Sequence, residues 1–111
     1  MKRLLFILFV LPLFYSFQLE SQMTYTKIVI EQSIDPDQEM AITEHFQHMS
    51  GMRTCRMDRN THVFLAIYDP SQIQEVSFTN WFTNNGFTVS CFYTDDYKEG
   101  EMVSISITNC K

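Results

Sequence analysis

The sequence predicts an α+β fold in which two helices cover one face of an antiparallel sheet. The composition is that of a chain with a buried core, because 45% of the 111 residues are hydrophobic and only 3 are glycine and 3 proline. Apolar residues alternate along several segments, as in strands, and recur at helical spacing in two others. These segments follow one another as β-α-β-β-α-β with one added strand, in a chain long enough for a single domain.

The N-terminus has the pattern of a secretory signal. Lys2 and Arg3 precede an apolar run over residues 4–15, which is too short for a bilayer span and is interrupted by Pro12. We expect residues 1–21 to act as a signal peptide, cleaved between about residues 16 and 22, and residues 22–111 to form the exported domain. A retained membrane anchor is the weaker alternative. The predicted location is therefore periplasmic or secreted, with no membrane attachment after cleavage.

The first strand and the first helix follow the signal. Residues 24–31 are rich in β-branched and aromatic residues and predict a strand. Asp35 is suited to cap a helix that starts at Pro36, and Gln38 completes a capping box with Asp35. The helix is predicted to end near Gly51 and to place on one face the apolar residues Ile42, Phe46 and Met49.

A hairpin, a second helix and two further strands complete the predicted fold. Residues 52–58 and 62–68 read as strands joined by a short turn, and residues 87–94 and 102–108 as the remaining strands. The second helix is predicted to begin at Ser77, to end at Asn85-Gly86 and to bury Phe78, Trp81 and Phe82. Two helices on one face of such a sheet make a ferredoxin-like two-layer sandwich with an extra C-terminal strand, in which the strand order is four-one-three-two.

Four short stretches of the sequence resemble the corresponding stretches of the heavy-metal-associated domain of copper chaperones and metal-transporting ATPases. The matching stretches are Gly51-Met52, Met57-Asp58, Tyr68-Asp69-Pro70 and Asn85-Gly86-Phe87. The resemblance implies the ferredoxin-like fold and a role with heavy-metal ions. It also places the family's Cys-x-x-Cys positions on Asp35 and Gln38, neither of which supplies the sulfur that soft Cu(I) prefers.

Two histidines offer an alternative metal site outside that loop. His45 and His48 are three residues apart on the first helix and Met49 follows them, so the three side chains are candidate ligands for a copper or zinc ion. The other interpretation is that both imidazoles are partly exposed beside the apolar stripe and that Met49 packs in the core.

The three cysteines allow at most one disulfide within the chain. Cys55 and Cys91 lie on strands that are three steps apart in the predicted order, roughly 14 Å, which excludes a bridge between them. Cys110 is therefore the candidate partner for Cys91 or for Cys55, or for a cysteine of another molecule.

No catalytic arrangement of residues is visible in the sequence. The formal net charge of −5 leaves no basic excess for nucleic acid. We expect a non-enzymatic, exported domain with a metal-handling or accessory role. The alternative is a protein-interaction module, monomeric or homodimeric, that binds an unknown protein partner through an exposed sheet edge, with residues 102–108 as the favoured strand.

Overall fold

The computed structural model describes residues 22–105 and has an α+β fold with four antiparallel strands and two helices. The predicted signal peptide and Cys110 lie outside these residues. Within them, no helix is both long enough and apolar enough to span a bilayer. In chain order the elements are β1 Thr24–Ile30, α1 Pro36–Gln47, β2 Met52–Asp58, β3 Val63–Tyr68, α2 Glu75–Asn84 and β4 Val89–Asp96.

The strands lie side by side in the order β2-β3-β1-β4, and every neighbouring pair is antiparallel. Thr26 of β1 is opposite Ala66 of β3 on one side and opposite Thr94 of β4 on the other. Among the described residues, β2 and β4 are the two outer strands. This arrangement is compatible with a ferredoxin-like fold.

The core lies between the helices and one face of the sheet. Phe46 of α1 is at its centre, because its ring centroid is 4.7 Å from that of Phe64 in β3 and 5.4 Å from that of Phe78 in α2. Phe82 of α2 joins the same group, at 5.7 Å from Phe46. Each of these four rings is at most 1% exposed. The apolar spacings of the two helices thus predicted the burial of Phe46, Phe78 and Phe82 correctly, whereas Trp81, also expected to be buried, is half-buried.

The prediction of an added C-terminal strand over residues 102–108 is wrong for residues 102–105, the part that the structure describes. Residues 102–105 are not in a strand, and Met102 is 97% exposed; residues 106–108 lie outside the described part. An alternating pattern forms a strand only where the chain runs alongside the edge of another strand. The chain instead turns after β4, where the amide of Glu101 donates to the carbonyl of Lys98, and no ladder follows within the described residues.

The segment that follows β4 reaches the opposite edge of the sheet, where it contacts β2. The Arg53 guanidinium of β2 forms a two-point ion pair with the Glu99 carboxylate, in which Nη1 and Oε2 are 2.7 Å apart. The Arg53 side chain also lies 5.6 Å from the ring centre of Tyr97. Because β2 and β4 are at opposite edges, this contact links the end of β4 to the far edge.

The start of α2 also differs from the prediction. The helix begins at Glu75, with Gln74 at the N-cap position and no side-chain hydrogen bond to cap it. Ser77 therefore lies inside the first turn rather than before it. A Ser is a good cap only where the chain enters the helix, and the apolar stripe does not define that point.

Candidate functional site

Asp35 and Gln38, the two positions that the sequence resemblance aligned with metal-binding cysteines, start α1. The Asp35 carboxylate accepts a hydrogen bond from the Gln38 amide at 2.8 Å, and the Gln38 side-chain oxygen accepts one from the Asp35 amide at 3.0 Å. The capping box predicted from the sequence is confirmed. Both side chains thus satisfy backbone groups of the helix, and neither offers a thiolate.

The histidine candidates have other neighbours in the structure. The His45 ring stacks on the Trp81 ring of α2, with centroids 4.9 Å apart and an interplanar angle of 26°. His48 is exposed at the end of α1, where its amide donates to the Phe46 carbonyl, and Met49 is half-buried against the core. Within residues 22–105, no three His, Cys, Asp or Glu side chains are grouped closely enough to hold a metal ion.

The cysteines differ in their chemical state. Cys55 is free and buried, and its thiol donates to the Thr43 carbonyl of α1 at 3.4 Å. Burial raises the pKa of this thiol to about 11. Cys91 is disulfide-bonded. A bridge between Cys55 and Cys110 is therefore wrong, because Cys55 is enclosed between α1 and β2 with its thiol free.

Side chains of α1 close the outer edge of β2. The amide of Cys55 donates to the Gln47 side-chain oxygen at 3.3 Å, and the amide of Met57 donates to the Thr43 hydroxyl at 3.1 Å. One step further, the amide of Arg59 donates to a Glu39 carboxylate oxygen at 2.8 Å. We call these three contacts the α1–β2 ladder. They use the amides that an incoming strand needs for pairing.

Helix and strand geometry explain why the α1–β2 ladder stays in register. The acceptors are four residues apart on α1, which corresponds to about 6 Å along a helix axis. The donors are two residues apart, which corresponds to about 6.6 Å along a strand. Since the mismatch is only about 0.6 Å per step, three successive contacts form before the two elements drift apart. The residue numbers run in opposite directions, so α1 lies antiparallel to β2.

The outer edge of β4 has no such cover among the described residues. The Tyr97 amide donates to the Met23 carbonyl, and Lys27 is opposite Tyr93, so odd-numbered residues of β4 direct their backbone groups toward β1. Because backbone groups alternate along a strand, those of Phe92 and Thr94 point away from the sheet. The Phe92 side chain is 40% exposed. Towards the end of the strand, the backbone amide of Asp96 donates a hydrogen bond to the Asp95 carboxylate.

Sequence reasoning missed both the α1–β2 ladder and the open strand. The predicted strand order put β2 and β4 at the two edges, as the structure does, but the edge expected to bind a partner was assigned to residues 102–108. The available signal was the spacing of Glu39, Thr43 and Gln47, which recur every four residues beside the apolar stripe of α1. Polar residues at that spacing usually indicate a solvated face, so the pattern becomes informative only when the neighbouring strand is known.

Comparisons with known proteins identify no relative of this chain. No family model, no curated protein and no solved structure matches the chain.

Proposed function

We propose that this chain is an exported, non-enzymatic interaction module of the ferredoxin-like class that binds an extended chain segment along β4. One observation carries the proposal: the outward amides of β2 at Cys55 and Met57 are occupied by α1, whereas β4 pairs only with β1 in the described residues. A strand with outward backbone donors and acceptors binds another strand by completing its ladder.

The form of β4 supports this role. It spans eight residues, Val89–Asp96, which is long enough for several backbone hydrogen bonds to a partner strand. Its exposed Phe92 gives such a partner an apolar side chain to cover. Backbone bonds supply affinity in strand addition, and side chains at alternate positions supply selectivity.

The topology and the composition support the remaining parts of the proposal. Counted from the β4 edge, the strand order is four-one-three-two, the order expected of a ferredoxin-like sandwich. The signal-like N-terminus supports export. The acidic net charge of −5 favours a protein partner over a phosphate backbone.

Site-specific photocrosslinking tests this function. Phe92 is replaced by p-benzoylphenylalanine, and Arg56 of β2 is replaced in the same way as the matched control. Both variants are irradiated in the cells that produce the chain. We expect an adduct larger than the monomer from position 92 and none from position 56.

A proline substitution makes the test specific for backbone pairing. Thr94→Pro removes an amide that points away from β1, a position where edge strands tolerate proline. In this background the adduct from position 92 should disappear, while circular dichroism shows the fold intact. Absence of any adduct from position 92, or an equal adduct from position 56, contradicts the proposed function.

A further inference from the structure

We propose that the partner of β4 is a second copy of this chain, paired antiparallel and symmetrically about Phe92. This inference rests on the proposed function, since it requires that β4 be the binding edge. It goes further in naming the occupant and the register. The pairing joins two four-stranded sheets into one continuous sheet of eight strands.

The backbone of β4 permits only certain registers. Outward groups belong to Phe92 and Thr94, and two strands pair through residues whose groups both face the partner. With the two-fold axis at Phe92, this residue lies opposite its own copy and exchanges two backbone hydrogen bonds with it. Tyr93 then lies opposite Cys91 of the second copy. Opposite residues share a face, so both helix layers lie on the same side of the joined sheet.

The exposed side chain of Phe92 favours a two-fold axis at this residue. It is one of the few large apolar side chains of residues 22–105 that are strongly exposed, at 40%, and it stands on an outer strand. Symmetric pairing about Phe92 places the two rings directly opposite each other across the new strand pair. Aromatic pairs of this kind stabilise antiparallel strands. The second copy therefore covers the apolar surface that a single copy leaves in water.

The charges of β4 are compatible with this register and disfavour pairing about Asp95. Asp95 and Asp96 are the only charged residues of the strand. Pairing about Phe92 places Asp95 opposite Val89 of the second copy, so no two carboxylates are opposed. Pairing about Asp95 would instead set this carboxylate against its own copy, which is unfavourable.

The interface is expected to be weak and salt-dependent. A single strand pair buries less area than stable protein interfaces do, which is typical of transient association. The full sequence has a formal net charge of −5, and cleavage of the predicted signal removes the cations Lys2 and Arg3, so two copies of the exported domain are both acidic and repel one another at low ionic strength. Added salt screens this repulsion. The dimer should therefore strengthen as salt rises, the opposite of what an interface held by ion pairs shows.

Sedimentation velocity of the purified chain tests the inference, over concentrations from about 10 μM to about 1 mM. We expect a reversible monomer–dimer equilibrium that shifts toward dimer in higher salt. Phe92→Lys, which sets two cations opposite each other, should weaken it at least tenfold. Val76→Lys adds the same charge at an exposed apolar residue of α2 and should leave it unchanged. Amide exchange in the unaltered chain should slow at Phe92 and Thr94 as concentration rises.

Three outcomes overturn the inference. They are a monomer throughout the concentration range, a dimer that Phe92→Lys leaves intact, and a dimer that persists in a denaturing, non-reducing gel and is therefore disulfide-linked. If the crosslink from position 92 attaches to a different protein while the chain alone stays monomeric, self-pairing fails and strand addition at β4 stands. If position 92 gives no adduct at all, the proposed function fails as well.

Discussion

The hydroxyl oxygen of Thr43 in α1 accepts a hydrogen bond from the backbone amide of Met57 in β2, with 3.1 Å between the two atoms. This is the middle contact of the α1–β2 ladder, between that of Gln47 with Cys55 and that of Glu39 with Arg59. The same side chains that orient α1 on the sheet also occupy the backbone donors of an outer strand. Under the proposed function, one set of contacts therefore both packs α1 on the sheet and leaves β4 as the edge for pairing.

Removal of the Thr43 hydroxyl should destabilise the fold. Thr43→Val keeps the shape of the side chain and leaves the half-buried amide of Met57 without an acceptor, which costs about 1–2 kcal/mol of the free energy of unfolding. Urea unfolding followed by circular dichroism measures the change. Amide exchange at Met57 should accelerate in the same variant.

Thr83→Val is the matched control for that change. Thr83 is an exposed threonine of α2 whose hydroxyl donates only to the Thr79 carbonyl in the same helix. Its substitution should alter the free energy of unfolding by less than about 0.5 kcal/mol. Equal stability losses in the two variants would show that the contact between Thr43 and Met57 has no special role.

The parts of the fold that follow from local chemistry could be predicted from the sequence. Asp35 and Gln38 form the capping box that their spacing indicates, and Phe46 and Phe82 are buried as helical periodicity requires. The open edge could not be predicted in this way. Whether an amide of β2 is free depends on Thr43, fourteen residues away in the sequence, and on the docking of α1. The strand expected over residues 102–108 is absent at residues 102–105 even though β4 leaves an edge open, because alternation does not say where the turn after β4 directs the chain.

Cys55 should resist alkylation in the folded protein. Its pKa of about 11 leaves roughly one thiolate per thousand thiols at pH 8, and the side chain is enclosed between α1 and β2. Iodoacetamide treatment at pH 8 followed by mass spectrometry should therefore show almost no modification until the protein unfolds. Thr54→Cys supplies an exposed thiol on the same strand as the control, and it should react fully. Rapid labelling of Cys55 in the native state would contradict the buried site.

The disulfide of Cys91 should join it to Cys110. Cys91 is disulfide-bonded, Cys55 is free, and the chain has three cysteines. Non-reducing peptide mapping should find the Cys91 peptide linked to the Cys110 peptide. Because β2 and β4 are at opposite edges of the sheet, a Cys55–Cys91 link would contradict the strand order as well as the free state of Cys55.

The turn after β2 should make stability depend on pH in the acid range. Asp58 accepts hydrogen bonds from the Thr61 hydroxyl at 2.6 Å and from the Thr61 amide at 3.0 Å. The hydroxyl bond, more than any other contact, holds the pKa of Asp58 below its ordinary value of 3.8. A carboxyl whose pKa is lower in the folded than in the unfolded chain stabilises the fold above the unfolded pKa. This contribution is lost as the pH falls through the folded pKa.

Thr61→Val removes the hydroxyl and keeps the amide, so it should raise the pKa of Asp58 toward 3.8 in an NMR titration. It should also lower the free energy of unfolding by about 1 kcal/mol at pH 7 and by progressively less below pH ~4, since protonated Asp58 gains little from that bond. Thr54→Val, at an exposed position of β2, is the control. A stability difference for Thr61→Val that stays constant from pH 7 to pH ~2 would mean that the ionised carboxylate is not the group the hydroxyl stabilises.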